Sequence, residues 1–199
     1  MTEKENKKLL NHRIKFMAII LVFLSPFIAG WLAFYVFEIR PDSRHYGTLV
    51  EPVRPLSFPQ VKTLDGGQTG SDFWRKWTFV VIDNDGCQQQ CQQNLYYLRQ
   101  MRIALGRDTS RVQNVLILNQ SANTVLRQFL KEYPALTVME NPGSKITGLF
   151  DLPGVVVGVT PMLYLVDPAG NLMMTYPAIN EPKSILSDLR RLLKVSQIG

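Results

Sequence analysis

The stretch from Thr78 to Cys91, T-F-V-V-I-D-N-D-G-C-Q-Q-Q-C, limits the fold more than any other, because it holds the only two cysteines of the chain directly after an apolar run. Thr78 to Ile82 is β-branched and aromatic without polar alternation, the pattern of a strand buried on both faces of a mostly parallel sheet. Asp83 to Gly86 breaks that pattern with turn-forming residues. Beyond Cys91, Leu95, Leu98, Met101 and Leu105 recur at helical spacing, with Tyr97 beside them. The order is buried strand, tight loop, cysteines, amphipathic helix. A helix start presents unpaired N–H groups and a positive dipole end, which favour a thiolate over a thiol. Four positions apart on a helical turn, Cys87 and Cys91 share a face, where they can bridge or hold one ion. A structural bridge, or two buried small hydrophobes, is the competing reading.

The N-terminal part belongs to a different solvent. Residues 1–15 carry Lys4, Lys7, Lys8, Arg13 and Lys15 against Glu3 and Glu5, so this tail supplies +3 of the chain's +6. With the excess concentrated there, the basic balance marks membrane topology and gives no reason to expect a nucleic-acid partner. Residues 16–37 are 22 positions without a formal charge. As a helix they are long enough to cross a hydrocarbon layer of about 30 Å. Pro26 and Gly30 are tolerable in such a span, and Trp31 and Tyr35 suit its interface. The basic tail is expected to stay cytoplasmic and everything after Glu38 to lie across the membrane, in a bacterium the periplasm, where cysteine pairs oxidise. Residues 38–56, with Pro41, Pro52 and Pro55, read as a stalk, although Tyr46, Leu49 and Val50 are apolar enough for part of it to pack on the domain. The domain itself is expected over 57–199.

Within it, Ser57 to Thr63 reads as a short strand leading to a turn at Leu64–Gly67, and Trp74 and Trp77 as packing residues. Val112 to Leu118 is a second buried strand, and Asn123 to Tyr133 a helix stopped by Pro134. Leu136 to Met139 is a short strand, and Ile146, Leu149 and Phe150 belong to a short helix. Met162–Val166 and Leu172–Tyr176 flank a D-P-A-G-N turn as a β-hairpin. Pro182 opens a last helix with Ile185, Leu189, Leu192 and Leu193 on its core face. The sum is β-α-β-α followed by β-β-α, an α/β fold with helices layered on a sheet.

From Ser57 to Val195 this order resembles the thioredoxin-like (glutaredoxin-like) three-layer sandwich, here joined to one N-terminal transmembrane helix. With a Cys-x-x-x-Cys pair and the hairpin L-Y-L-V-D-P-A-G-N-L, the chain is similar to the Sco/SenC family, membrane-tethered factors that help assemble the copper A centre of cytochrome c oxidase. The resemblance implies a bacterial inner-membrane location and a partner in the oxidase subunit that carries the copper A site. It also implies Cys87 and Cys91 as redox residues and as candidate ligands of Cu(I), a metal the exchange chemistry itself does not require. The family's third ligand, a histidine just before the hairpin, is missing, since no histidine follows position 45 and Thr160-Pro161 stands in its place. In thioredoxin-like oxidoreductases a residue followed by cis-proline occupies that place and aligns a partner's backbone, so Thr160 and Pro161 join the candidate site. A trans-proline opening an edge strand is the alternative. His12 falls on the cytoplasmic side of the span and His45 in the stalk; Met162, Met139, Met173 and Met174 are explained by packing.

Three functions fit these residues. The first is a thiol-disulfide oxidoreductase in oxidase assembly, with Cys87, expected to be the more exposed sulfur, attacking a partner and Cys91 resolving the mixed disulfide. A Cu(I)-binding chaperone of the Sco type is the second. A non-enzymatic assembly subunit with a static bridge is the third.

Overall fold

The uncharged N-terminal run lies, as far as Tyr35, within one helix, α1, spanning Glu3–Tyr35. The computed structural model describes residues 3–35, 45–69, 71–141, 146–177, 179 and 181–196. Residues 36–44, which include the end of the expected span and the first part of the stalk, lie outside the described residues. From His12 to Leu32, 21 residues, α1 is long and apolar enough to cross a membrane. Its side chains there are exposed all round the helix, an arrangement that suits hydrocarbon and not water. Pro26 sits inside the helix and supplies no N–H for the Val22 carbonyl. The Ser25 hydroxyl donates to that carbonyl instead, at 2.8 Å.

The chain divides into two units, Met1–Arg44 and His45–Gly199. The second is built on a six-stranded sheet in the order β1-β6-β5-β2-β3-β4. Its strands are β1 (Thr48–Pro55), β2 (Trp77–Asp83), β3 (Val112–Leu118), β4 (Leu136–Glu140), β5 (Met162–Val166) and β6 (Asn171–Pro177). Helices α2 (Gln89–Ala104), α3 (Thr124–Leu130) and α4 (Pro182–Val195) complete it. β2, β3 and β4 run parallel, while β5 is antiparallel to β2, β6 to β5 and β1 to β6. The sheet is therefore mixed, with its parallel half carrying the cysteines.

The uniform apolar character of β2 has its reason in this placement. Phe79 and Val81 pack with Leu95, Leu98 and Met101 of α2, Leu126 of α3 and Ile185 and Leu189 of α4. Val80 and Ile82 face the other way, onto Trp74, Phe150, Tyr164 and Leu172. The first face is covered by three helices. The second is covered by irregular chain and single 3-10 turns at Ser71–Trp74 and Thr147–Phe150, in which Phe58 stacks on Trp74 at 3.6 Å between centroids. Trp74 and Trp77 are buried as expected of packing residues.

Two expectations change. Residues read as stalk supply β1, an edge strand on β6, and its start is fixed by the Asp188 carboxylate of α4, which accepts from the N–H groups of Tyr46 and Gly47 at 2.7 and 3.0 Å. Ser57 to Thr63, read as a strand, forms only isolated bridges, Lys62 to Gln68 and Thr63 to Met139. There Leu64 donates to the Val138 carbonyl and shields the outer edge of β4.

Candidate functional site

The C-terminal end of β2 delivers the chain to the site. Asp83 ends the strand, and one of its carboxylate oxygens accepts from the N–H groups of Asp85 at 2.9 Å and Cys87 at 2.6 Å. That closes the turn that the Asp-Asn-Asp-Gly sequence predicted. Cys87 stands at φ +57, in the left-handed region, so it belongs to the loop and not to the helix. The shared helical face expected for the two cysteines is thus replaced by a loop cysteine and a helix cysteine. The glutamines fix this loop: Gln88 donates to the Asp85 carbonyl at 3.2 Å, and Gln92 to the Cys87 carbonyl at 3.0 Å. Cys91 lies in the first turn of α2, and a disulfide joins it to Cys87, with the Cα atoms 5.0 Å apart.

The bridge is buried, but unevenly with respect to the surface. Cys87 is 1% exposed and Cys91 6%. Only Cys91 lines the adjacent groove, a cavity of about 140 Å³ walled by Asp83, Asp85, Gln88 and Asn94 on one side and by residues 158–162 on the other. The expectation that Cys87 is the more exposed of the pair is therefore not met: both residues are buried, and Cys91, at the start of α2, is the one that lines the groove. Thr160 and Pro161 line the same groove as Cys91. The cis expectation fails, however. Among the described residues the cis bond is Glu51–Pro52, and Thr160–Pro161 is trans. Thr160 closes its own loop, with its N–H donating to the Val156 carbonyl at 2.8 Å and its hydroxyl accepting from the Val156 N–H at 3.1 Å.

The other candidate donors stay apart. His45 is exposed and absent from the groove lining, and Met139 and Met174 are buried in the core. Met162 does reach the groove wall. Among the described residues no three His, Cys, Asp or Glu side chains gather to hold a metal. As a disulfide the pair has no thiolate to offer, and when reduced it gives two sulfurs without the family's histidine, so these residues do not fit a two-cysteine, one-histidine copper site.

Sequence reasoning missed three asparagines. Asn84, Asn119 and Asn141 each follow the last residue of β2, β3 and β4, and they are hydrogen-bonded in a row behind the groove. Their separations of 35 and 22 positions left no local signal.

Residues 77–196 match the family model described as "Transmembrane-like, thioredoxin-like, C-terminal domain". The chain belongs to that family. No curated protein sequence matches it. Among solved structures, yeast Sco1 with copper bound is similar at 16% identity and a TM-score of 0.60, covering 74% of this chain and 96% of that one. BsSco, described as a member of the Sco family of cytochrome c oxidase assembly proteins with a disulfide switch, is 13% identical at a TM-score of 0.57 (73% and 96%). A putative protein disulfide isomerase from Bacteroides thetaiotaomicron is 16% identical at 0.58 (75% and 94%). At these identities the likeness is one of fold. The family's transmembrane-like character agrees with the apolar α1, and its thioredoxin-like domain with the sheet, the cysteine junction and the β-β-α end.

Proposed function

We propose that this protein is a membrane-tethered thiol-disulfide exchange factor whose domain lies on the periplasmic side of a bacterial inner membrane. The observation that carries the reading is the Cys87–Cys91 bridge at the end of β2, with Cys91 on a groove opposite Thr160 and Pro161. A partner thiolate entering this groove meets the Cys91 sulfur. Its attack forms the mixed disulfide and breaks the Cys87–Cys91 bond, and Cys87 leaves as a thiolate that takes up a proton. A second partner thiolate then displaces Cys91, so the partner ends as a disulfide and the pair as a dithiol. Run in reverse, the same sulfur attacks a partner disulfide and Cys87 resolves it. The roles are thus the opposite of those expected from sequence. Thr160 and Pro161 act as the wall against which the partner segment lies.

The Sco/SenC resemblance, with the fold shared with BsSco, supports the oxidase subunit bearing the copper A cysteines as the partner. Trapping tests both claims. Cys87→Ser in cells is expected to accumulate a mixed disulfide through Cys91 with that subunit, identified by mass spectrometry, whereas Cys91→Ser gives little. Adducts confined to Cys91→Ser would restore the original roles, and none in either variant would leave a static bridge. Tight stoichiometric Cu(I) binding by the reduced chain, lost in Cys87→Ser, would favour the copper chaperone instead.

A further inference from the structure

Behind the groove the amides of Asn141, Asn119 and Asn84 form a head-to-tail relay. Asn141 Nδ2 donates to Asn119 Oδ1 at 3.1 Å, and Asn119 Nδ2 donates to Asn84 Oδ1. Asn84 Nδ2 in turn donates to the Val157 carbonyl at 3.1 Å, and the Asn84 N–H to the Gly158 carbonyl at 3.2 Å. The first two members are anchored to the sheet, because Asn141 N–H donates to the Leu118 carbonyl at 2.8 Å and Asn119 N–H to the Asp83 carbonyl at 3.1 Å. The relay therefore ties the ends of three parallel strands to the loop that forms the far wall of the groove. Gly158 shows how close that junction is. It stands at φ +78, and a Cβ there would overlap the Asn84 amide. Asn119 and Asn84 each both accept and donate, an arrangement that polarises the chain toward its last donor.

Resting on the exchange reading above, we propose that Asn84 is a positioning residue for that reaction. Primed by Asn119 and Asn141, it holds the wall from Gly158 to Pro161 at the separation from Cys91 at which a protein thiol meets the bridge in line. Asn84 touches neither sulfur nor partner; it acts through the wall.

Two isosteric changes isolate this role. Asn84→Asp keeps the acceptor for Asn119 but replaces the donor to Val157 with an oxygen that repels the carbonyl. Asn119→Asp removes the donor to Asn84 from outside the loop, so either that bond is lost or the Asn84 amide flips and releases Val157. The oxidised full chain in detergent is reduced by dithiothreitol, which needs no wall, and by reduced thioredoxin, a protein dithiol that does. For Asn84→Asp the thioredoxin rate constant is expected to fall about tenfold to a hundredfold, while the dithiothreitol rate constant stays within about threefold. Asn119→Asp acts in the same direction and more weakly. Gly158→Ala pushes the same junction from the other side, so its effect on the thioredoxin rate should shrink in an Asn84→Ala background, where the overlap is relieved. Rates that fall equally with both thiols, or stay unchanged while only Tm drops, would make the relay purely structural. If the wild type reacts with neither thiol, it is the exchange reading that has failed. The wall is then read by hydrogen-deuterium exchange: faster exchange at the Val159 and Thr160 amides in Asn84→Asp upholds the assignment, and unchanged protection overturns it.

Discussion

Around Cys87 a single carboxylate sets the geometry. Asp83 accepts two backbone N–H groups, from Asp85 and Cys87, and Gln88, the helix N-cap, makes no side-chain bond to the first-turn N–H groups of α2. Hydrogen bonds to a charged group are worth about 1.5–3 kcal/mol where the partner would otherwise be left unpaired. Asp83→Ala is therefore expected to destabilise the oxidised domain by about 2 kcal/mol in urea unfolding. Asp83→Asn, which keeps an acceptor, should cost less. An unchanged midpoint in the alanine variant would mean that the bridge alone holds the loop. At this scale the sequence was partly legible. The turn chemistry of Asp83 to Gly86 and the closeness of the two cysteines, near enough to bridge, followed from local residue types. Which sulfur faces the groove did not, because that depends on the left-handed backbone of Cys87, a conformation few non-glycine residues adopt and sequence does not announce.

Among the elements, those defined by their own periodicity were the readable ones. Val112–Leu118 matches β3 end for end, and α4 buries Ile185, Leu189 and Leu193 at the spacing read from sequence. β1 was read as stalk because it contains Pro52 and Pro55, residues that fit a strand only where an edge leaves N–H groups unused. What makes it a strand lies far away in sequence: Asp188 receives the N–H groups of Tyr46 and Gly47. Conversely, Phe58 spends its apolar surface stacking on Trp74, which mimics a strand residue without a ladder. Asp188→Ala should release the start of β1, seen as faster amide exchange at Tyr46 and Gly47 with α2 unaffected; protection unchanged at both would deny the latch. Gly47→Ala attacks the same junction sterically, since its Cβ would lie 2.5 Å from the Tyr176 ring. Overpacking of this kind costs about 1–3 kcal/mol, read as a lower Tm.

For the domain as a whole, two solution variables report on the core and on the bridge. Burial, with Asp151 nearby, pushes the Tyr164 phenol up to about 12, and burial, with Asp188 nearby, raises Tyr176 as well. A phenol whose folded value lies above its unfolded value of 10.0 leaves stability intact below that pH and removes it as pH rises toward the folded value. Urea midpoints are thus expected to hold to about pH 10 and fall from there to about 12, with tyrosinate absorbance from these two rings appearing last; a flat midpoint over that range would contradict their burial. The bridge, by contrast, spans a sequence separation of only four, and the loop-entropy relation gives so short a closure about 2 kcal/mol. A domain stability of about 5–15 kcal/mol survives that loss. The six-stranded sheet and its two packed faces are predicted to keep the reduced domain folded, which exchange demands because both redox states must present the same groove. Reduction should lower the urea midpoint yet preserve one cooperative transition and the near-ultraviolet circular dichroism of Trp74 and Trp77. Collapse of that signal on reduction would identify the bridge as a structural staple, and the groove beside Cys91 would then have no chemistry to serve.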